Sequence, residues 1–129
     1  MAITPIVVRD GGFQTSLVFT EIDTVAQPIT EEMSFVNDGY SVLFIWNPFP
    51  PGIGEENDIL VSVTQIEDNA GRGNVYEAVV PHAGYGSFGP YRPIWWNSGG
   101  IVNVNFTFAA TGGLEVLADA RVWVTKFQF

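Results

Sequence analysis

The stretch of the chain that most suggests chemistry is V-V-P-H-A-G-Y-G-S-F-G-P-Y-R-P, residues 79–93. It contains the only histidine, His82, and Gly84, Gly86 and Gly89 have the G-x-G-x-x-G spacing of dinucleotide-binding loops. In such loops the glycines join a strand to a helix whose N-terminus holds the pyrophosphate. Here two prolines and two bulky tryptophans follow, which disfavours a helix, and no acidic residue stands about 20 positions later. The pattern therefore predicts no cofactor, and it indicates a stiff crossing of the chain from one sheet to another.

Other candidate catalytic and metal-binding groups are sparse. His82 has no acidic or serine neighbour in the local sequence, which predicts that it lies on the turn without a chemical role. The chain has no cysteine. Glu55, Glu56 and Asp58 form an acidic cluster that could offer oxygen ligands to Ca²⁺. Their spacing differs from an EF-hand loop, which favours a solvated loop and no metal. We predict a non-enzymatic protein, and a hydrolase that uses unrecognised carboxylates is the remaining enzymatic alternative.

Composition and charge narrow the choice of partners. The chain has 129 residues, of which 15% are charged, against about a quarter in an average domain, and the shortfall predicts a surface that faces another protein. The net charge is −9 and the five basic residues are scattered, so we expect neither a nucleic acid nor an anionic membrane as partner. The start of the chain lacks the pattern of a secretion signal, which predicts synthesis in a cytoplasm.

The elements that position these residues are predicted to be strands, because the apolar segments are β-branched or aromatic and are bounded by Gly, Pro, Asn or Asp. Residues 101–108 and 58–66 alternate between apolar and polar side chains, which is typical of a strand with one buried face. Residues 40–47 are apolar on both faces, as in a central strand. Further strands are predicted at 5–8, 15–20, 33–36, 74–80, 91–96, 114–117 and 120–129.

Turn residues separate these strands at near-regular intervals. Asn37-Asp38-Gly39 is a hairpin or bulge signal, and glycine-rich turns follow at 97–100 and 111–113. Eight to ten short strands predict an all-β fold, namely a single antiparallel β-sandwich that is jelly-roll-like. The sandwich domain spans residues 1–129, with an N-terminal arm at 1–12 and a C-terminal strand or tail at 120–129.

Aromatic residues are the most informative side chains. Trp95 and Trp96 are adjacent, so on a strand they point to opposite faces and do not share one core. On the last strand, aromatic residues lie on the face opposite Val122 and Val124. These residues are Trp123, Phe127 and Phe129. If the valines face the core, the aromatic rings are covered by a neighbouring protein, by a stacked sugar, or by burial within a thick sandwich.

The order of features along the chain carries a resemblance to a known family. The most distinctive part is F-V-N-D-G-Y-S-V-L-F-I-W-N, residues 35–47, an N-D-G turn followed by an apolar strand that ends in Asn. The other parts are an M-A-I-T-P arm, T-V-A (24–26), V-V-P-x-x-G (79–84), G-P-Y (89–91), an N-S-G-G turn and L-E-V-L (114–117). In this order the chain resembles the small capsid-decoration, or cement, proteins of tailed bacteriophages. It departs from them at 88–96 and in the C-terminal W-V-T-K-F-Q-F.

The resemblance implies a non-enzymatic jelly-roll or sandwich on the outer capsid surface of a virion. Such a protein, often a trimer, clamps adjacent major capsid proteins against the pressure of the internal DNA. A few apolar anchors usually dominate such an interface. The expected contact residues are Ile3, Pro5, Ile6, Trp95, Trp96, Trp123, Phe127 and Phe129. The alternative is a carbohydrate-binding or host-recognition β-domain of a phage tail or fibre, with Trp95, Trp96 and Tyr91 as stacking platforms.

Overall fold

A computed structural model describes residues 3–11, 26–66 and 74–127. Within these ranges the chain forms ten strands, a single-turn helix and a 3₁₀ turn. The strands are β1 (Thr4–Pro5), β2 (Val8–Gly11), β3 (Gln27–Pro28), β4 (Glu32–Val36), β5 (Ser41–Asn47), β6 (Ile59–Gln65), β7 (Asn74–Val80), β8 (Gly84–Phe88), β9 (Ile101–Phe108) and β10 (Arg121–Phe127). The helix, α1, is Pro93–Trp96, and the 3₁₀ turn is Leu117–Asp119.

The strands form two sheets, which confirms the all-β prediction. The first sheet has the order β1-β4-β9-β6-β7, and the second has the order β2-β10-β5-β8, with β3 also paired to β10. Most pairs are antiparallel, but β1–β4 and β2–β10 are parallel, so the prediction of a wholly antiparallel fold is wrong at these two pairs. The reason is that residues 4–11 pass from the edge of one sheet to the edge of the other. The predicted N-terminal arm therefore contributes one edge strand to each sheet, β1 to the first and β2 to the second.

Alternating apolar residues build the core, as the sequence predicts. On β9 the buried residues include Val102 and Phe106, and on β6 they include Ile59 and Val61, all at 0% exposure. Leu43 and Ile45 of β5 join them, together with Val122 and Val124 of β10. Burying each such side chain contributes about 1.5 to 3 kcal/mol. The inward faces of both sheets thus meet in one hydrophobic cluster.

A second, smaller cluster lies on the opposite face of β5 and β10. Trp123 is 7% exposed and its ring stacks on Phe44 with centroids 5.5 Å apart. Trp46 stacks on Tyr85 of β8 at 6.4 Å. The valines of β10 do face the core, and the cover of Trp123 comes from this chain rather than from a neighbour or a sugar.

Several predicted elements differ from the structure. Residues 91–96 are not a strand, because Pro93 occupies the first helical position, where its fixed φ favours α1. The carbonyl of Arg92 accepts the amide hydrogens of Trp95 and Trp96. Residues 114–117 pair with no strand in the described ranges and lead into the 3₁₀ turn. The glycine-rich residues 84–88 form a strand instead of a turn, and the predicted strand at 15–20 lies outside the described residues.

A buried amide holds one end of the two sheets together. Asn47, the last residue of β5, is 0% exposed, and its Nδ2 donates to the carbonyls of Asn57 and Val80 at 2.9 and 3.1 Å. Its Oδ1 accepts the amide hydrogen of Phe49 at 3.0 Å. One side chain of the second sheet thereby satisfies backbone groups of the following loop and of β7 in the first sheet.

We predict that N47A lowers the free energy of unfolding by about 2 to 4 kcal/mol, since three buried backbone partners lose their hydrogen bonds. Urea denaturation followed by tryptophan fluorescence measures the change. The matched control is N105A, which removes the same side chain from an exposed position of β9. Equal stability of the two variants would contradict this role of Asn47.

Candidate contact surface

The first two glycines of the motif lie in a strand, and only Gly89 lies in the segment between that strand and α1. Gly84 and Gly86 of β8 pair with Asn47 and Ile45 of β5. A Cβ atom at Gly86 would approach Val80 Cγ2 to 2.8 Å and the Phe88 ring to 2.9 Å. The glycine therefore permits close packing of β8 over the core. The crossing between the sheets occurs as predicted, but residues 81–83 make it.

The expectation that no helix follows the glycines is wrong, because α1 begins four residues after Gly89. The helix is one turn long, and Gly89, Pro90, Tyr91 and Arg92 separate it from β8. Gly84 and Gly86, which would cradle a phosphate in a dinucleotide-binding loop, are instead paired positions of an edge strand. The geometry thus differs from the loop that the spacing suggests.

His82 connects its turn to another part of the chain, which corrects the prediction that it has no role there. Its Nδ1 lies 3.0 Å from Oδ1 of Asp58, and its backbone N–H donates to the same oxygen at 2.9 Å. The contact attaches the β7–β8 turn to the residue that precedes β6. Sequence reasoning missed it because the partner lies 24 positions earlier and the local sequence gives no signal for it.

The acidic cluster of the β5–β6 loop is used for hydrogen bonds within the chain. Glu56 Oε1 accepts the amide hydrogen of Ile53 at 2.9 Å, and Asp58 holds His82. Within residues 3–11, 26–66 and 74–127, no group of three or more His, Asp or Glu side chains is placed to hold a metal ion. The prediction of a solvated loop is corrected for Asp58, which is buried at 9% exposure and hydrogen-bonded to His82.

At the opposite end, two asparagine side chains hold the segment that carries the tryptophans. Asn37 Nδ2 donates to the Tyr91 carbonyl at 2.9 Å and to Asn97 Oδ1 at 2.8 Å. Asn97 Nδ2 donates in return to the Asn37 carbonyl at 2.8 Å. The N-D-G turn and the N-S-G-G turn, 60 residues apart in sequence, therefore fix the two ends of residues 91–97.

The same N-D-G turn is also attached to the last strand. Asp38 Oδ2 lies 2.7 Å from Lys126 Nζ of β10. The hydrogen bond from Lys126 lowers the pKa of the Asp38 carboxyl below its usual range. Both side chains are partly exposed, so this ion pair orients the turn more than it stabilises the fold.

Aromatic rings run in a continuous series from the core to the surface. The ring of Tyr91 lies 6.0 Å from that of Phe35 and 5.0 Å from that of Trp96, and Trp96 lies 5.4 Å from Tyr76 of β7. Trp96 packs against the main cluster, whereas Trp95 lies under the guanidinium of Arg92, 4.9 Å from its ring centroid. The side chains of the two tryptophans point in different directions, as predicted, although both residues lie on a helical turn and not on a strand.

An apolar cleft of about 210 Å³ opens beside this series, between the first and second sheets. Its walls come from β6 and β7 on one side and from the end of β8 and the residues after it on the other. The lining residues are Val61, Val63, Tyr76, Glu77, Ala78, Phe88, Gly89, Tyr91 and Trp96. We refer to it below as the edge cleft, because β7 and β8 are the edge strands of their sheets.

The predicted contact residues divide into four pairs. Trp96 lines the edge cleft and Trp95 precedes it in α1, whereas Ile3, at 50% exposure, and Pro5 lie at the far edge of the first sheet. Two others have buried side chains, because Ile6 is 4% exposed in the main core and Trp123 is 7% exposed in the second cluster. Their expected role as surface contacts is therefore corrected to a role in packing. The Phe127 side chain and Phe129 lie outside the described part of the chain.

Sequence reasoning missed several exposed apolar residues. Ile94 of α1 is 71% exposed, and Tyr76 and Val79 of β7 are 49% and 43% exposed. Tyr76 lines the edge cleft, Val79 lies on the other face of the same strand, and Ile94 lies in α1, which contributes Trp96 to the cleft. The apolar pattern of β7 resembles that of a buried strand, and the position of β7 at a sheet edge leaves Tyr76 and Val79 accessible.

Comparison with known proteins adds no relative, since no protein-family model, curated protein or solved structure matches the chain. The described residues contain no helix that is long and apolar enough to span a membrane.

Substitution of Gly86 tests the packing role of the glycine motif. We predict that G86A lowers the free energy of unfolding by about 1 to 3 kcal/mol, because the added methyl group enters a filled space. S87A, at the neighbouring exposed position of β8, is the control and should change stability by less than about 0.5 kcal/mol. Urea unfolding of both variants measures the difference. Wild-type stability of G86A would show that the close approach of β8 to Val80 is not needed.

Stability at alkaline pH tests the burial of Tyr91. Tyr91 is 6% exposed, and its burial raises the pKa of the phenol. The unfolded chain ionises this group near its ordinary pKa of about 10, whereas the folded chain keeps it neutral. Its contribution to stability is thus complete below about pH 10 and declines above it by up to about 1.4 kcal/mol per pH unit. In urea titrations from about pH 8 to pH 11, Y91F should lose less stability than the wild type. Parallel curves would contradict the burial of the phenol.

Proposed function

We propose that the chain is a structural protein of a bacteriophage virion that binds the outer capsid surface and connects neighbouring major capsid proteins. The observation that carries the proposal is a set of exposed apolar side chains on β7 and α1, two elements that contribute residues to the edge cleft, among them Tyr76, Val79 and Ile94. Such a patch is typical of a surface that contacts another protein. The order of sequence features that resembles capsid-decoration proteins supplies the identity of the partner.

The arrangement of the sheets supports the corresponding fold. Residues of both sheets bury their apolar faces in one cluster, and most consecutive strands belong to different sheets. In the sequence from β4 to β10, only β6 and β7 are neighbours within one sheet. We infer that the two sheets pack as a single-domain sandwich of jelly-roll type, since repeated crossing between two facing sheets characterises that architecture.

The proposed mechanism is adhesion and requires no reaction. Rigid aromatic and aliphatic side chains would lie in recesses between capsid subunits, where a few desolvated anchors provide most of the binding energy. Many copies on one shell would add avidity, because each subunit that is held limits the movement of its neighbours. Self-association of the copies, as trimers, would connect more subunits per attachment and belongs to the same proposal.

A second candidate, glycan binding by a phage tail or fibre domain, is favoured by one observation. Tyr76 and Trp96 present rings to the edge cleft, and aromatic rings beside a cleft are suitable for stacking on a sugar. The candidate uses fewer rings than the sequence suggested. Tyr91 is buried, and the Arg92 guanidinium lies over the Trp95 ring. Trp96 is the predicted platform that remains, and the structure adds Tyr76 beside it.

The proposal predicts co-sedimentation of the purified protein with expanded capsids of the phage that encodes it. Bound capsids should break at a higher temperature than bare capsids, because the attached protein resists separation of the subunits. Light scattering during heating measures that temperature. Retention on a glycan array without capsid binding would overturn the proposal in favour of the second candidate.

A pair of matched substitutions tests which surface makes the contact. We expect I94D to reduce capsid binding by about tenfold or more, since an interface anchor contributes at least about 2 kcal/mol. L114D is the control, because Leu114 is equally apolar and 97% exposed but lies in the β9–β10 loop at the other end of the molecule. Loss of binding by L114D alone would transfer the contact to that end and leave the capsid function in place.

A further inference from the structure

One buried oxygen atom of the β5–β6 loop has no hydrogen-bond partner. Asn57 is 6% exposed, and its Nδ2 donates to the Pro50 carbonyl at 2.8 Å, which fixes the orientation of the amide. The other polar atom of this amide, Oδ1, is buried and accepts no hydrogen bond from the described residues. Buried polar atoms in folded proteins have a partner in nearly all cases. The oxygen of Asn57 is therefore available to a ligand from outside the chain.

Two more oxygen atoms lie near Asn57 Oδ1, against a pair of glycines in the β9–β10 loop. A Cβ atom at Gly113 would lie 3.0 Å from Asn57 Oδ1 and 3.0 Å from the backbone oxygen of Glu56. A Cβ atom at Gly112 would lie 3.8 Å from Glu56 Oε2. The second carboxylate oxygen, Oε1, accepts the amide hydrogen of Ile53 and so holds the Glu56 side chain in place. One amide, one carbonyl and one carboxylate oxygen thus lie along the same wall.

The space beside Gly113 explains why this position is a glycine. Gly112 has a φ of +105°, which favours glycine for conformational reasons, but Gly113 does not lie in that left-handed region. Any other side chain at position 113 would place its Cβ between Asn57 Oδ1 and the Glu56 carbonyl. The absent side chain therefore leaves room between two oxygen atoms.

The three oxygen types are those that Ca²⁺ binds in proteins. Its ligands are carboxylates, side-chain amides, backbone carbonyls and water, at about 2.3 to 2.6 Å and in flexible geometry. Mg²⁺ is smaller, demands a nearly ideal octahedron and keeps several water molecules, so this set suits it less well. Within residues 3–11, 26–66 and 74–127, none of the three oxygens accepts a hydrogen bond. All three are therefore available as ligands.

The charge of the loop also favours a cation. In the described part of the chain no basic side chain forms an ion pair with Glu56, and the exposed Glu55 precedes it. Asp58 contributes less, because its Oδ1 is already bound to His82. A divalent cation would offset the repulsion between these carboxylates in a chain of net charge −9.

We infer that Glu56 and Asn57 form a Ca²⁺ site against Gly112 and Gly113. The protein ligands are Glu56 Oε2, the Glu56 carbonyl and Asn57 Oδ1, and water completes the coordination. The site has one carboxylate, so it differs from the three-acid cluster that the sequence suggested. With so few charged ligands we expect a Kd on the order of 10⁻⁴ to 10⁻³ M, as in extracellular modules. The inference is independent of the proposed capsid function.

Calcium binding by the full chain tests the site directly. The protein is dialysed against EDTA and then against chelator-free buffer, and calcium chloride is titrated into it by isothermal titration calorimetry. We expect one saturable site, and a melting temperature that is higher in millimolar calcium chloride than in magnesium chloride of the same concentration. Absence of saturable binding, or an equal rise with magnesium chloride, would overturn the site and assign Asn57 Oδ1 to a water molecule.

Two matched variants separate a defined site from general attraction to an acidic loop. E56Q keeps the size of the side chain and an acceptor for Ile53 but removes the charge, and it should bind Ca²⁺ about tenfold more weakly. E55Q makes the same change at the adjacent exposed residue and should retain the wild-type affinity within about twofold. Equal losses in both variants would show that the loop attracts cations without a built site.

A third variant tests the space beside Gly113. G113A adds a methyl group between the two oxygens in a backbone conformation that alanine can adopt, so it should abolish Ca²⁺ binding. In EDTA its melting temperature should stay close to that of the wild type. Wild-type affinity of G113A would place the ion elsewhere and overturn the ligand set.

N57D provides a readout that does not depend on how G113A folds. It replaces a neutral ligand by a carboxylate, so its affinity for Ca²⁺ should rise by about tenfold, and calcium should raise its melting temperature more than that of the wild type. An affinity equal to or below that of the wild type would remove Asn57 from the site and overturn the inference.

Discussion

The structure depends on one constraint, which is that two sheets bury their apolar faces in a single cluster while the chain passes repeatedly between them. Each crossing needs a turn at an end or an edge of the sheets. Between β7 and β8 the crossing leaves two edge strands with no further strand beside them in the described ranges, and the cleft opens there. The same requirement that produces the core therefore produces the accessible apolar surface.

The crossings leave buried backbone groups without a partner strand, and the side-chain amides of asparagines hydrogen-bond to them. Asn47 satisfies loop and strand carbonyls at one end, and Asn37 with Asn97 does so at the other. An asparagine side chain offers donors and an acceptor at once, so that one residue connects two segments that the strand ladders leave apart. The position of the aromatic series beside the cleft follows from the second pair, since it fixes the segment that carries Trp95 and Trp96.

Much of the core was predictable from the sequence, and much of the contact surface was not. Strict alternation in β6 and β9 identifies their buried faces because a strand has a period of two residues. The role of Gly86 was not predictable, since the same spacing is compatible with a phosphate loop, and only its proximity to Val80 shows a packing function. His82 likewise has no partner in the local sequence, because Asp58 reaches it through the fold.

The sequence by itself determined the all-β class, the inward faces of the long strands and the scarcity of basic residues, because composition and short-range periodicity encode these properties. Tertiary structure alone decided which strands lie at an edge. Val61 and Tyr76 are similar apolar strand residues, yet the first is buried in the core cluster and the second is half exposed beside the cleft. The physical reason is that exposure depends on the neighbour that a strand acquires through long-range pairing, and no local pattern records that neighbour.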